Sequence, residues 1–154
     1  MIPEFEDLEQ EEKNLMFSAP VLVAILIAGA DGNIDRAEIR EAVSISSMKK
    51  IKARKELKLF YDVVTTDFED KLKVGISRYP ANPTERLKII TDELKGINSI
   101  LPKLNKKFAI KFYESLKDFS KRIAESSGGI LGYMAVGYEE SKVIDLKMIK
   151  NPSG

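Results

Sequence analysis

Apolar residues recur along most of the chain at intervals of three and four, the spacing that gathers them on one face of an α-helix. Val21 to Ala30 departs from this by being apolar on all sides, which predicts a helix buried at the centre of a bundle. Asp35 opens a second predicted helix, with Ile39, Ala42, Ile45 and Met48 on its inner face. Leu57, Phe60, Tyr61 and Val64 make a short third stripe. Thr66, with Glu69 three residues on, reads as a capping box ahead of Phe68, Leu72, Ile76 and Tyr79, and Pro80 ends that helix.

Asn82-Pro83 is a strong start signal, a capping side chain followed by proline at the first helical position. Leu87, Ile90, Leu94, Ile97 and Leu101 then read as one run, too short to prefer a coiled-coil seam over ordinary packing. Pro102 breaks that run and starts the next. Leu104, Phe108, Phe112, Leu116, Phe119 and Ile123 form the strongest stripe, with lysines over its other face, so Phe108, Phe112 and Phe119 are expected in the core. Ser126-Ser127-Gly128-Gly129 stops it, with glycine available for a left-handed cap. A final helix is predicted over about Tyr138 to Lys150, carrying Val143, Ile144, Leu146 and Ile149. No segment alternates as a strand does. The expected fold is all-α, a bundle of roughly six to eight helices with short connections.

A chain of 154 residues is long enough for one domain to bury its own core. The expected organisation is an acidic N-terminal extension over 1–14 and a single helical domain over 15–150. A net charge of +1 selects no class of partner. There is no cysteine, which excludes disulfides, a thiolate zinc site and a cysteine nucleophile. There is no histidine, the commonest general base and transition-metal ligand. Oxygen chemistry remains, and it suits calcium, magnesium or manganese. The acidic start lacks the basic region of a signal peptide, and the apolar run Leu15–Ala30 falls short of the ~20 residues a membrane helix needs. A cytoplasmic protein is expected.

The segment with readable chemistry is Ala28 to Glu38, Ala-Gly-Ala-Asp-Gly-Asn-Ile-Asp-Arg-Ala-Glu. Asp31, Asp35 and Glu38 crowd it with carboxylates, and Gly32 follows the first of them. Set against the calcium loop of an EF-hand, Asp31 takes the fifth position, Gly32 the turn glycine, and Asn33 the backbone-carbonyl position. Ile34 is then the apolar position, Asp35 the water-mediated ninth and Glu38 the bidentate twelfth. Positions one and three fall on Ile27 and Gly29, which have no side-chain oxygen, so a full EF-hand is excluded. A partial site made of Asp31, Asn33, Asp35 and Glu38, taking a calcium or magnesium ion, stays open. The same residues have a metal-free reading, with Asp31-Gly32 a helix-ending turn and Asp35 with Glu38 a capping box.

This segment and the apolar helix before it resemble the TerB-like family, named after a tellurite-resistance protein. The family pattern is an apolar helix ending in Ala-Asp-Gly, a hydrophobic residue two positions later, and a glutamate opening the next helix. Here these are Val21–Ala30, Asp31, Gly32, Ile34 and Glu38. The resemblance covers about Val21 to Ala42. It implies an all-helical fold of two related halves, acidic loop residues that bind a divalent metal, and a link to stress-response gene clusters and membrane-associated complexes. A degenerate second half is visible in Ala124-Glu-Ser-Ser-Gly-Gly-Ile130, where Ala124, Gly128 and Ile130 match Ala28, Gly32 and Ile34. Ser127 stands where the aspartate is expected, and the stretch from Ile130 to Glu139 or Glu140 is longer than that from Ile34 to Glu38. A cation shared by two loops would therefore be held weakly.

Lys49, Lys50, Lys52, Arg54, Lys55 and Lys58 form a basic block opposed only by Glu56. Such a block raises nucleic acid or an anionic membrane surface as partners. No aromatic is interleaved before Phe60, which disfavours nucleic acid. The acids Glu4, Glu6, Asp7, Glu9, Glu11 and Glu12 could neutralise the block within the chain or in a neighbouring subunit. No serine–lysine pair or nucleophile elbow stands out, so a non-enzymatic protein is expected. The reading is an interaction or sensing domain with a protein partner, in a homo-oligomer or a peripheral membrane-associated complex. The alternatives are a ligand-free structural bundle and a basic-patch binder of nucleic acid or membrane surface.

Overall fold

The computed structural model describes residues 2–28, 36–52, 55–126 and 145–153, except for the side chains of 28, 36–39, 41, 51–52 and 125–126. Every regular element among them is helical: α1 (Gln10–Ala28), α2 (Arg36–Lys52), α3 (Lys55–Thr66), α4 (Phe68–Arg78), α5 (Pro83–Lys95), the single turn α6 (Ile97–Ile100) and α7 (Lys106–Ser126). Short 3-10 turns occupy Pro3–Phe5 and Leu101–Lys103. The all-α bundle expected from the apolar spacing is the fold found.

The centre of the bundle is α1, which touches each of the other six helices. All seven residues from Val21 to Ile27 are at most 5% exposed, so no face of this stretch is left to solvent. The helix begins well before the apolar run, at Gln10, and continues through Pro20. Proline there leaves the Met16 carbonyl without its intrahelical donor. Residues 2–9 lead into α1 by a tight turn in which Ile2, Phe5 and Leu8 are buried in the common core while Glu6, Asp7 and Glu9 face solvent. The expected boundary between extension and domain, at 14/15, lies within α1.

The stripes of α3 and α7 are buried as the spacing requires. Leu57, Phe60, Tyr61 and Val64 are covered in α3, and Phe108, Phe112 and Phe119 are at most 2% exposed in α7. Edge-on ring contacts join Phe60 to Phe112 at 5.3 Å and Phe5 to Phe108 at 5.6 Å. This is the geometry that aromatic quadrupoles favour. In α2, Ala42 and Ile45 are buried and Met48 partly so; the side chain of Ile39 lies outside the described residues.

Four local expectations are corrected. Thr66 caps nothing: its hydroxyl donates to the Asp62 carbonyl at 2.8 Å, closing α3, and Asp67 precedes α4 without a side-chain capping bond. The run from Leu87 to Leu101 is not one helix, because α5 stops at Lys95 and Gly96 turns the chain before α6. Gly96 keeps right-handed helical angles, φ −59° and ψ −23°, which is why Leu94, Ile97 and Leu101 still reach the core. Pro102 does not start α7. Asn105 does, its side-chain oxygen accepting from the Lys107 and Phe108 amides at 2.9 and 3.3 Å. The predicted final helix fails over its described part, since Asp145–Met148 is a turn. Leu146 has φ 51°, which a right-handed helix excludes, and its side chain is fully buried. The Asn98 amide holds this turn, donating to the Met148 carbonyl at 2.8 Å and accepting from the Lys150 amide at 2.7 Å. Tyr138 to Ile144 lie outside the described residues. Asn82 behaves as expected, accepting from the Glu85 amide at 3.0 Å at the start of α5.

Candidate functional site

Asp31, Asn33 and Asp35 lie outside the described residues, as do Ser127, Gly128 and Ile130. The backbone of Glu38 is in the first turn of α2, and its side chain is outside the described set. The described part is the frame. α1 reaches Ala28 after seven fully covered positions, α2 resumes at Arg36, and the two helices pack together. The oxygen-bearing segment thus joins two helices that are each anchored in the core. Among the described residues, no three acids gather closely enough to hold a metal ion.

A second concentration of polar chemistry lies where α2, α3 and α7 meet. A groove of about 160 Å³ has apolar walls from Ile45, Met48 and Leu57. Its polar side is built mainly by α7, where Ser115, Asp118 and Arg122 follow at spacings of three and four and so share one helical face. Lys49 on α2 donates to Asp118 Oδ2 at 3.0 Å, and Arg122 donates through Nε to the same oxygen at 2.9 Å. Burial opposes ionisation of Asp118, but the bonds from Lys49 and Arg122 together outweigh it and hold the carboxyl below its ordinary range.

At the floor, the Tyr61 and Ser115 oxygens are 2.7 Å apart. Ser115 also donates to the Phe112 carbonyl at 2.8 Å. With the serine proton committed there, Tyr61 must donate to Ser115. Burial pushes the Tyr61 phenol well above its ordinary pKa, against the effect of the Ser115 bond and with the Asp118 charge adding to the rise. The phenol is therefore a fixed proton donor to its neighbour and not a nucleophile.

Of these residues, Lys49 entered the sequence reading only as part of a basic block and Tyr61 only as core. Ser115, Asp118 and Arg122 carry no motif, and their spacing of three and four beside the Phe112–Leu116–Phe119 stripe is the one signal that places them on a shared edge. The described pairs also divide the basic block. Lys49 is bound by Asp118, and Glu56 pairs with Lys107 at 3.1 Å. The described partner of the N-terminal acids is different again, Glu12 meeting Lys103 at 2.7 Å. The Lys103 bond, with help from the Glu9 amide and the Lys103 charge, keeps Glu12 below its ordinary pKa.

No described helix is long and apolar enough to cross a membrane. No protein-family model, curated protein or solved structure matches the chain significantly.

Proposed function

We propose that this chain is a non-enzymatic, TerB-like interaction or sensing domain whose Asp31–Glu38 loop takes a divalent cation, calcium or magnesium. The observation that carries the reading is the frame: the central helix, covered on all sides from Val21 to Ile27, ends at Ala28, and a second core-packed helix starts at Arg36. A segment tethered at both ends loses less entropy on closing around an ion than a free loop would. The donor set supports a hard cation. Asp31, Asp35 and Glu38 supply carboxylates and Asn33 an amide or carbonyl oxygen, with neither sulfur nor imidazole in the chain. These residues would hold the ion with water completing its shell. The biological setting implied by the resemblance is assembly with a protein partner in a stress response, tellurite resistance included.

Calorimetry and thermal unfolding of the whole chain in calcium or magnesium test this. An ion bound only by the folded state raises the melting temperature. Asp31→Asn or Glu38→Gln should reduce both the heat and the shift, and Ser127→Asp should increase them if two loops share the ion. No heat and no shift at millimolar calcium or magnesium would leave a capped helix-loop-helix with no ligand.

A further inference from the structure

We propose that the groove between α2, α3 and α7 binds a small monocarboxylate with a compact apolar body. Three observations define that ligand. The first is size: about 160 Å³ is available, close to the ~150 Å³ of an engineered apolar cavity that accepts one benzene ring. The second is charge. Among the described lining residues, Lys49 and Arg122 stand against the single carboxylate of Asp118, an excess of one positive charge that a monoanion neutralises.

The third is the direction of the donors. The proton chain from Tyr61 through Ser115 to the Phe112 carbonyl commits both hydroxyl protons, so the floor offers an incoming anion no donor. Among the described lining residues, the N–H groups left over belong to Lys49, whose side chain is 14% exposed, and to Arg122, which is about half exposed at the rim and alone presents two of them as a fork. Arg122 uses Nε on Asp118, and its outer amines form the planar fork that matches a carboxylate. The carboxylate therefore sits at the rim, and the apolar body goes inward against Ile45, Met48 and Leu57.

This site is separate from the cation loop. Lys49 lies eleven residues beyond Glu38, the last carboxylate of that loop, in α2, about 16 Å along the helix, or about two Debye lengths in physiological salt. Loss of one ligand leaves the test for the other intact.

The experiment is a two-dimensional amide NMR titration of the whole chain with benzoate, with benzamide and acetate as partial probes. Benzoate should move the amides of Ile45, Leu57, Tyr61 and Asp118. Benzamide, without the charge, and acetate, without the ring, should each bind at least about tenfold more weakly, the scale of one charge-assisted hydrogen bond or one buried ring. Arg122→Gln should weaken benzoate about tenfold. Asp118→Asn should tighten it, because the competing carboxylate is removed. Tyr61→Phe should leave it unchanged. Arg122 and Asp118 are about half exposed, so these variants keep the core, and their amide spectra report folding directly. Equal binding of benzamide and benzoate would overturn the proposal, as would shifts mapping elsewhere, no shifts at all, or weaker binding by folded Asp118→Asn.

Discussion

A methyl group added at Gly75 tests the packing of α4 on the central helix. A Cβ there would lie 2.6 Å from Ile25 Cδ1, with Val21 Cγ1 and Ile25 Cγ1 next at 3.9 and 4.0 Å. Carbon atoms prefer about 3.5–4.0 Å, so the overlap is near 1 Å and falls on one atom. Ile25 is 1% exposed, which leaves that methyl little room to retreat. Gly75→Ala gains about 1 kcal/mol of helix propensity and loses about 1–3 kcal/mol to overpacking, a net destabilisation of up to about 2 kcal/mol. Ile25→Val removes Cδ1 and should cost about 0.5–1.5 kcal/mol by itself. In that background the new Cβ meets only ordinary contacts, and Gly75→Ala should stabilise by about 1 kcal/mol. Urea unfolding of the four proteins, read as midpoint changes at constant slope, gives the coupling directly. If Gly75→Ala has the same effect in both backgrounds, within about 0.5 kcal/mol, the close approach of α1 and α4 is not as described.

Phe112→Ala should cost about 3–5 kcal/mol in the same assay, since the ring is fully buried and meets Phe60 at 5.3 Å. A loss below about 0.5 kcal/mol would place that face of α7 at the surface. Asp118→Asn should flatten the acid limb of the stability curve. The folded pKa of Asp118 is depressed, so its contribution is present above the unfolded value near 3.8 and is lost as pH falls through the folded value. The group is about half exposed, which limits the neutral-pH effect to below about 1 kcal/mol. An unchanged slope below pH ~4 would show that the Lys49 and Arg122 bonds do not persist in solution.

The features legible in the sequence are those set by near neighbours. Asn82 caps α5 because capping needs only the amide three residues on, and Asn82-Pro83 announces it. The α7 stripe is core because one helical face carries it whatever it packs against. Errors entered where two local signals competed. Thr66-Asp-Phe-Glu looks like a capping box, yet the hydroxyl of a threonine ending a helix reaches its own Asp62 carbonyl first. Leu146 and Ile149 keep the helical interval of three, but the chain there is held by Asn98, which bonds Met148 and Lys150, 50 and 52 residues further on. No window of sequence contains both partners. Composition obscured the N-terminus in another way. Glu4, Glu6, Asp7 and Glu9 read as an acidic tail, while Ile2, Phe5 and Leu8, spaced by three as a 3-10 turn requires, go inward among the aromatics.

The two sites differ in the same respect. The loop Asp31–Glu38, proposed to take a cation, is a contiguous string of oxygen-bearing residues, so residue types and spacing alone raise it, together with its metal-free alternative. The groove has no such string. Its walls come from residues in the forties and fifties, its acid and guanidinium from α7, and Lys49 meets Asp118 across 69 positions. In sequence, Lys49 belongs to a basic block and Asp118 to a charged helix surface, and neither suggests a small carboxylate. The site exists only because the buried stripes of α2, α3 and α7 fix how their polar edges meet. Two cations are then left sharing one carboxylate beside an apolar hollow, and that excess charge is what makes a small carboxylate the fitting occupant.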